Sequence, residues 1–160
     1  MNTSLKRRMT AAGLLLALSF NAAAQHAPES VQWANTAVAV KSDKGERLYR
    51  LEFTGNIAPG YVIYGSNFEA NLGPNPTRLR LEAKEGVTAN SKLESVGTKT
   101  GTDKAFKTPY TYFQGQAKLS QVVAVAPGVT HVAGTLRGQT CYETDGTCAL
   151  FNVRFDIPLQ

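Results

Sequence analysis

From Val31 onward, apolar and polar residues alternate with a period of two, broken by turn residues at short intervals, and no window carries the stripe of an amphipathic helix. Between Arg47 and Phe53, the side chains of Tyr49, Leu51 and Phe53 fall on one side and those of Leu48, Arg50 and Glu52 on the other. That describes a strand with one face in a core and one in water. Tyr61 to Tyr64 is a shorter apolar strand, reached through Asn56 to Gly60, where Pro59 and Gly60 supply turn chemistry. Gly73-Pro74-Asn75-Pro76 predicts a rigid connection before Thr77 to Leu81, in which Leu79 and Leu81 oppose Arg78 and Arg80. Further strands are predicted at Val87 to Val96, Tyr110 to Phe113, Ala117 to Val125, His131 to Cys141 and Cys148 to Ile157, eight or nine in all. Gly97 to Pro109 is polar, with Phe106 as its one large apolar residue, and reads as a long mobile loop. Short strands joined by Gly and Pro turns predict an all-β fold, an immunoglobulin-like β-sandwich of two antiparallel sheets.

The first 24 residues follow another pattern. Lys6, Arg7 and Arg8 precede an apolar run from Ala11 to Phe20, and small residues end at Ala22, Ala23 and Ala24. The run is about half as long as a membrane span needs, and Ala22 and Ala24 form a signal-peptidase site. Residues 1–24 are therefore expected to be a cleaved secretory signal peptide and residues 25–160 one sandwich domain, with no membrane insertion of the mature chain. The whole sequence carries 17 Lys and Arg against 12 Asp and Glu, and cleavage removes three cations, leaving 14 minus 12, or +2. The remaining cations are scattered along the chain, so nucleic acid is not an expected partner. A hydrophobic fraction of 42% in 160 residues is enough for one ordinary core.

Export implies an oxidising compartment, the periplasm, where the two cysteines, Cys141 and Cys148, are expected to pair. Asp145-Gly146 between them is a hairpin-turn dipeptide, which sets the two across a hairpin from each other. Two readings stay open. As a structural staple, the bridge contributes about 2.5 kcal/mol for so short a loop. As a redox-active pair, a thiolate attacks a partner disulfide, forms a mixed disulfide and is released by the second cysteine. Glu143 and Asp145 are turn residues by type, and as negative charges beside the thiols they would make the thiolate scarcer. His26 and His131 stand apart and no Cys-x-x-Cys spacing occurs, so no metal is expected.

Several separated pieces resemble the N-terminal periplasmic domain of the thiol:disulfide interchange protein DsbD. They are Val31-Gln32-Trp33, Tyr49 to Phe53, Pro59-Gly60-Tyr61-Val62-Ile63-Tyr64, Gly73-Pro74-Asn75-Pro76-Thr77, Tyr112-Phe113-Gln114-Gly115, and Gly138-Gln139-Thr140-Cys141 through Cys148. The resemblance implies an immunoglobulin-like sandwich that relays electrons without a cofactor. Its donor is a thioredoxin-like or membrane-embedded disulfide reductase, and its acceptor a periplasmic disulfide-exchange protein. It further implies that Cys148 forms the mixed disulfide, that Cys141 resolves it, and that a cap loop shields the pair. Phe106 is the candidate cap side chain, with Tyr110 as its substitute. The sequence departs from the pattern in having six residues between the cysteines and Ala149-Leu150-Phe151 after the second. The membrane and thioredoxin-like domains of the family do not occur within these residues, so the donor is expected to be a separate protein. The competing reading is a secreted β-sandwich binding module with a purely structural disulfide.

Overall fold

The computed structural model describes residues 30–42, 44, 46–69, 72–82 and 86–160; the expected signal peptide and His26 lie outside them. In chain order the strands are β1 (Val31–Val40), β2 (Leu48–Ile57), β3 (Tyr61–Tyr64), β4 (Arg78–Leu81), β5 (Val87–Ala89), β6 (Glu94–Ser95), β7 (Lys99–Thr102), β8 (Pro109–Gln114), β9 (Gln116–Val125), β10 (His131–Tyr142) and β11 (Cys148–Pro158). No helix occurs among the described residues. One sheet runs β1-β2-β9-β5, with β6 also on β9; the other runs β11-β10-β3-β8-β7, with β4 also on β10. Every pairing is antiparallel. The fold is an all-β sandwich.

The period of two decides what fills it. Tyr49, Leu51, Phe53 and Ile57 of β2 and Ala117, Leu119, Val123 and Val125 of β9 form the buried face of the first sheet. Ile63, Phe113, Val132, Leu136, Phe155 and Ile157 meet them from the second. Phe53 and Phe155 join the two layers edge to face, with ring centroids 5.0 Å apart and planes at 69°, a geometry favoured by the ring quadrupoles.

Two predicted segments differ from what is found. Val87 to Val96 is not one strand. Asn90 and Ser91 both donate their backbone N–H groups to the Val122 carbonyl, and the Ser91 hydroxyl accepts from the Val122 N–H. This side-chain competition for the ladder breaks the segment into β5 and β6. Gly97 to Pro109 is not a long loop but holds β7, paired with β8 from Lys99↔Tyr112 to Thr102↔Pro109. As an edge strand with mainly exposed polar side chains, β7 is held by backbone hydrogen bonds on one side only, so it shows no apolar alternation. Its turn is closed by the Asp103 carboxylate, which accepts the N–H groups of Ala105 and Phe106 at 2.9 and 2.8 Å, and by Lys107 at φ 58°. These breaks account for eleven strands rather than eight or nine.

Replacing Phe53, 3% exposed between the sheets, by Ala should lower the unfolding free energy by about 3 to 5 kcal/mol. Phe106→Ala, with half of that side chain already in water, should change it by less than about 0.5 kcal/mol. Urea unfolding of the two variants checks both values.

Candidate functional site

β10 and β11 are paired residue by residue from His131↔Pro158 to Cys141↔Cys148, and this ladder brings the two sulfurs together. The Cα atoms of the last pair are 4.0 Å apart and the cysteines are joined as a disulfide. The sequence makes the turn beyond them. Gly146, at φ 74°, adopts the left-handed conformation and donates its N–H to the Tyr142 carbonyl at 2.9 Å, while the Tyr142 N–H bonds the Thr147 carbonyl at 2.8 Å. The Asp145 carboxylate accepts the Thr147 N–H at 2.8 Å, and this bond to its charged form holds the carboxyl below the ordinary carboxylate range.

Alternation along β10 sends Val132, Leu136 and Thr140 inward and Thr135, Arg137, Gln139 and Cys141 to the outer face of the sheet. The disulfide therefore lies outside the core. The two sulfurs are nevertheless unequal, since Cys141 is 5% exposed and Cys148 belongs to the exposed turn. They sit on a cleft of about 550 Å³ whose walls come from β3, β8 and the β7–β8 turn, including Val62, Tyr64, Tyr110, Tyr112 and Ala105. The Tyr110 ring stands edge-on to Tyr64 with centroids 5.2 Å apart, and 5.9 Å from Tyr112. It also lies across Gly101 of β7, where a Cβ would come within 2.6 Å of the ring. Only glycine leaves that room. Burial pushes the Tyr64 phenol up from its ordinary value, and the Tyr110 phenol and Asp103 carboxylate act in the same direction.

Of the side chains singled out in the sequence, the fold brings Cys141, Cys148, Glu143 and Tyr110 to this cleft. Both carboxylate oxygens of Glu143 accept from Gln114 Nε2, at 2.7 and 2.8 Å, and Gln114 Oε1 in turn accepts from Lys99 Nζ. Asp145 sits at the tip of the turn, and Phe106 on the β7–β8 turn, neither of them lining the cleft. His131 pairs with Asp156 at the far end of β10.

Gln139 was not anticipated. Its Oε1 accepts two hydrogen bonds from Asn75, one from the backbone N–H at 2.9 Å and one from Nδ2 at 2.8 Å. With both donors on the oxygen, the amide has only one orientation, and its Nε2 faces the Cys141 sulfur at 3.5 Å. The signal in the sequence was a polar residue two positions before a cysteine on one strand, with a rigid Gly-Pro-Asn-Pro turn elsewhere to hold it. On the other sulfur, Cys148 Sγ lies 3.3 Å from the Gly146 carbonyl oxygen. A donor faces one sulfur and the negative end of a peptide dipole faces the other.

No family profile and no curated protein sequence matches the chain. Among solved structures, the N-terminal periplasmic domain of ScsB from Proteus mirabilis superposes with a TM-score of 0.52 at 11% identity, over 80% of this chain and 46% of that one. The two share a fold. The reduced N-terminal domain of DsbD from Neisseria meningitidis matches with a TM-score of 0.49 at 19% identity, over 78% of this chain and 83% of that one. The DsbD resemblance carried by the sequence pieces thus coincides with a fold shared with the ScsB domain, and with a cysteine pair on the outer face of the sandwich.

Removing the Gln139 donor should slow opening of the disulfide at Cys148, because Cys141 then leaves as a thiolate without its N–H partner. A hydrogen bond to a charged group contributes about 1.5 to 3 kcal/mol, and half of it realised in the transition state is roughly a four- to twelve-fold rate change. Gln139→Leu should therefore be reduced by dithiothreitol about four- to twelve-fold more slowly than the natural protein. Stopped-flow reduction kinetics measure this, and an unchanged rate removes the role.

Proposed function

We propose that the protein is a periplasmic thiol-disulfide exchange domain relaying two electrons through Cys141 and Cys148. The donor is a thioredoxin-like or membrane-embedded disulfide reductase, and the acceptor an oxidised periplasmic disulfide protein. The observation that carries this reading is the unequal exposure of the paired sulfurs: Cys148 is open to an incoming thiolate, and Cys141 is buried beside an oriented N–H donor. The shared fold with a periplasmic ScsB domain and the basic, apolar, small-residue order of residues 1–24 support the compartment.

In the loading direction, a thiolate of the donor attacks Cys148 Sγ. The Sγ–Sγ bond breaks and its electron pair leaves on Cys141, whose thiolate is met by Gln139 Nε2–H and then takes a proton from water. A good leaving thiolate speeds such an exchange. The donor's second thiolate attacks its own sulfur in the mixed disulfide and expels Cys148 as a thiolate. The donor ends as a disulfide and this domain as a dithiol, two electrons richer. Delivery reverses the order. Cys148 attacks the acceptor's disulfide and expels one of its sulfurs as a thiolate. Cys141 then attacks Cys148, re-forms the intramolecular bond and releases the acceptor's second sulfur.

A dithiol in an oxidising compartment must survive until it meets its partner. Tyr110, held across Gly101 on the cleft wall, is the inner shield of the pair, and Phe106 on the same hairpin turn its outer one. Glu143 and the ionised Asp145 place negative charge around the turn, which keeps the Cys148 thiolate scarce between encounters.

The test is capture. In a Cys141→Ala variant exported to the periplasm, Cys148 should accumulate as mixed disulfides with one or a few proteins, seen on non-reducing gels and released by dithiothreitol. Lacking both cysteines, the double variant supplies the background. No adduct above that background would overturn the exchange reading and leave the binding module with a structural disulfide.

A further inference from the structure

The outer face that carries the disulfide continues along β10 into an arginine lattice. Register places Arg78 of β4 and Asn152 of β11 on either side of Arg137, and Arg80 and Arg154 on either side of Thr135. Four of the six arginines in residues 25–160, distant in sequence, are thereby gathered on three adjacent strands. These four cations, separated in the chain, are neighbours in space. Arg78 and Arg137 stand directly opposite each other, a like-charge pairing that weakens a sheet. Among the described residues, Arg78 pairs with Glu69 at 2.9 Å, whereas Arg80, Arg137 and Arg154 enter no ion pair. Adjoining hollows of about 420 and 630 Å³ lie over the lattice, the smaller lined also by Glu82 and the larger by Leu150, which is 74% exposed.

Four outward rungs follow one another from the turn: Cys141–Cys148, Gln139–Leu150, Arg137–Asn152 and Thr135–Arg154. At about 3.3 Å per residue, the first arginine rung lies roughly 13 Å from the disulfide and the second roughly 20 Å. A standard protein interface covers about 800 Å² on each partner, so one centred between Cys148 and Leu150 spans both the sulfur and the arginines. Arginine forks match carboxylates in paired hydrogen bonds and lose less by desolvation than ammonium groups do.

We propose that this lattice is the docking surface for an acidic face of the exchange partner, seating carboxylates on Arg80, Arg137 and Arg154 while the partner's sulfur meets Cys148. The proposal rests on the exchange reading and adds the chemistry of the partner and the side from which it approaches.

The test uses the reduced protein and disulfide probes made with mercaptoethanol. Two peptides each carry one cysteine as that mixed disulfide followed by six Glu or six Lys, long enough to lie along the strand over the arginine rungs. A thymidine oligonucleotide of the same charge carries the same disulfide, and hydroxyethyl disulfide is the small neutral control. At low ionic strength the Glu peptide should react at least about tenfold faster than the Lys peptide and than the oligonucleotide. The ratio to the Lys peptide should fall toward one in 0.5 M salt (~3–5 Å screening) and in the triple variant Arg80→Gln, Arg137→Gln, Arg154→Gln. Hydroxyethyl disulfide should react equally with the natural protein and the variant, which shows that the variant's cysteine hairpin is intact. Equal rates for the Glu and Lys peptides, a ratio that survives the triple variant, or an oligonucleotide as fast as the Glu peptide would overturn the docking assignment alone. If no probe, hydroxyethyl disulfide included, reacts while the protein stays folded, the exchange reading fails and the docking surface falls with it.

Discussion

The register of β10 against β11 is the constraint on which the site depends. With a side-chain period of two, a slip of one residue would exchange the inward Val132, Leu136 and Thr140 for the outward Arg137, Gln139 and Cys141, burying arginine and exposing the core. The apolar set that must be buried therefore fixes, at the same time, that Cys141 faces outward and opposite Cys148. Core packing and sulfur pairing are one choice of register. The Asp145-Gly146 turn sets it at one end, and Phe155 and Ile157 anchor it between the sheets.

That geometry separates what holds the fold from what does chemistry. The hydrophobic core cluster between the sheets includes neither cysteine, so opening the bond removes no member of that cluster. The outer face of the second sheet carries the rest: the tyrosine cleft on one side of the disulfide and the arginine rungs on the other. Asymmetry at the bond comes from second partners. Asn75 fixes the Gln139 amide, which turns a donor toward Cys141, while the turn directs the Gly146 carbonyl toward Cys148. In the exchange proposed here these contacts would set a direction, with Cys148 as the sulfur attacked and Cys141 as the one that leaves.

Much of this was legible in the sequence because alternation and turn chemistry are local. Tyr61 to Tyr64 emerges with the bounds read from its residues, the Arg78/Leu79 alternation recurs in β4, and Asp145-Gly146 does close the cysteine hairpin. What escaped is what burial does not record. β7 is polar because an edge strand needs only one line of backbone hydrogen bonds, so Lys99 to Thr102 looked like loop. The break between β5 and β6 depends on which groups meet Val122, a contact about thirty residues away. Tyr110 and Phe106 are equivalent as aromatic residues near one turn, and only the pairing of Tyr110 with Gly101 aims one of them at the cleft. Gln139 and the arginine lattice arise from residues far apart in the chain, which no single-strand pattern can join.

The central claim is that the Cys141–Cys148 bond opens and closes by exchange while the sandwich stays folded. Its reduction potential, measured by equilibration in graded dithiothreitol and glutathione buffers with the fold followed by circular dichroism, tests this directly. The account predicts a potential above about −300 mV, in the range of exchange proteins, with an unchanged strand signal in the dithiol. A potential well below that value, or loss of the strand signal on reduction, would contradict it.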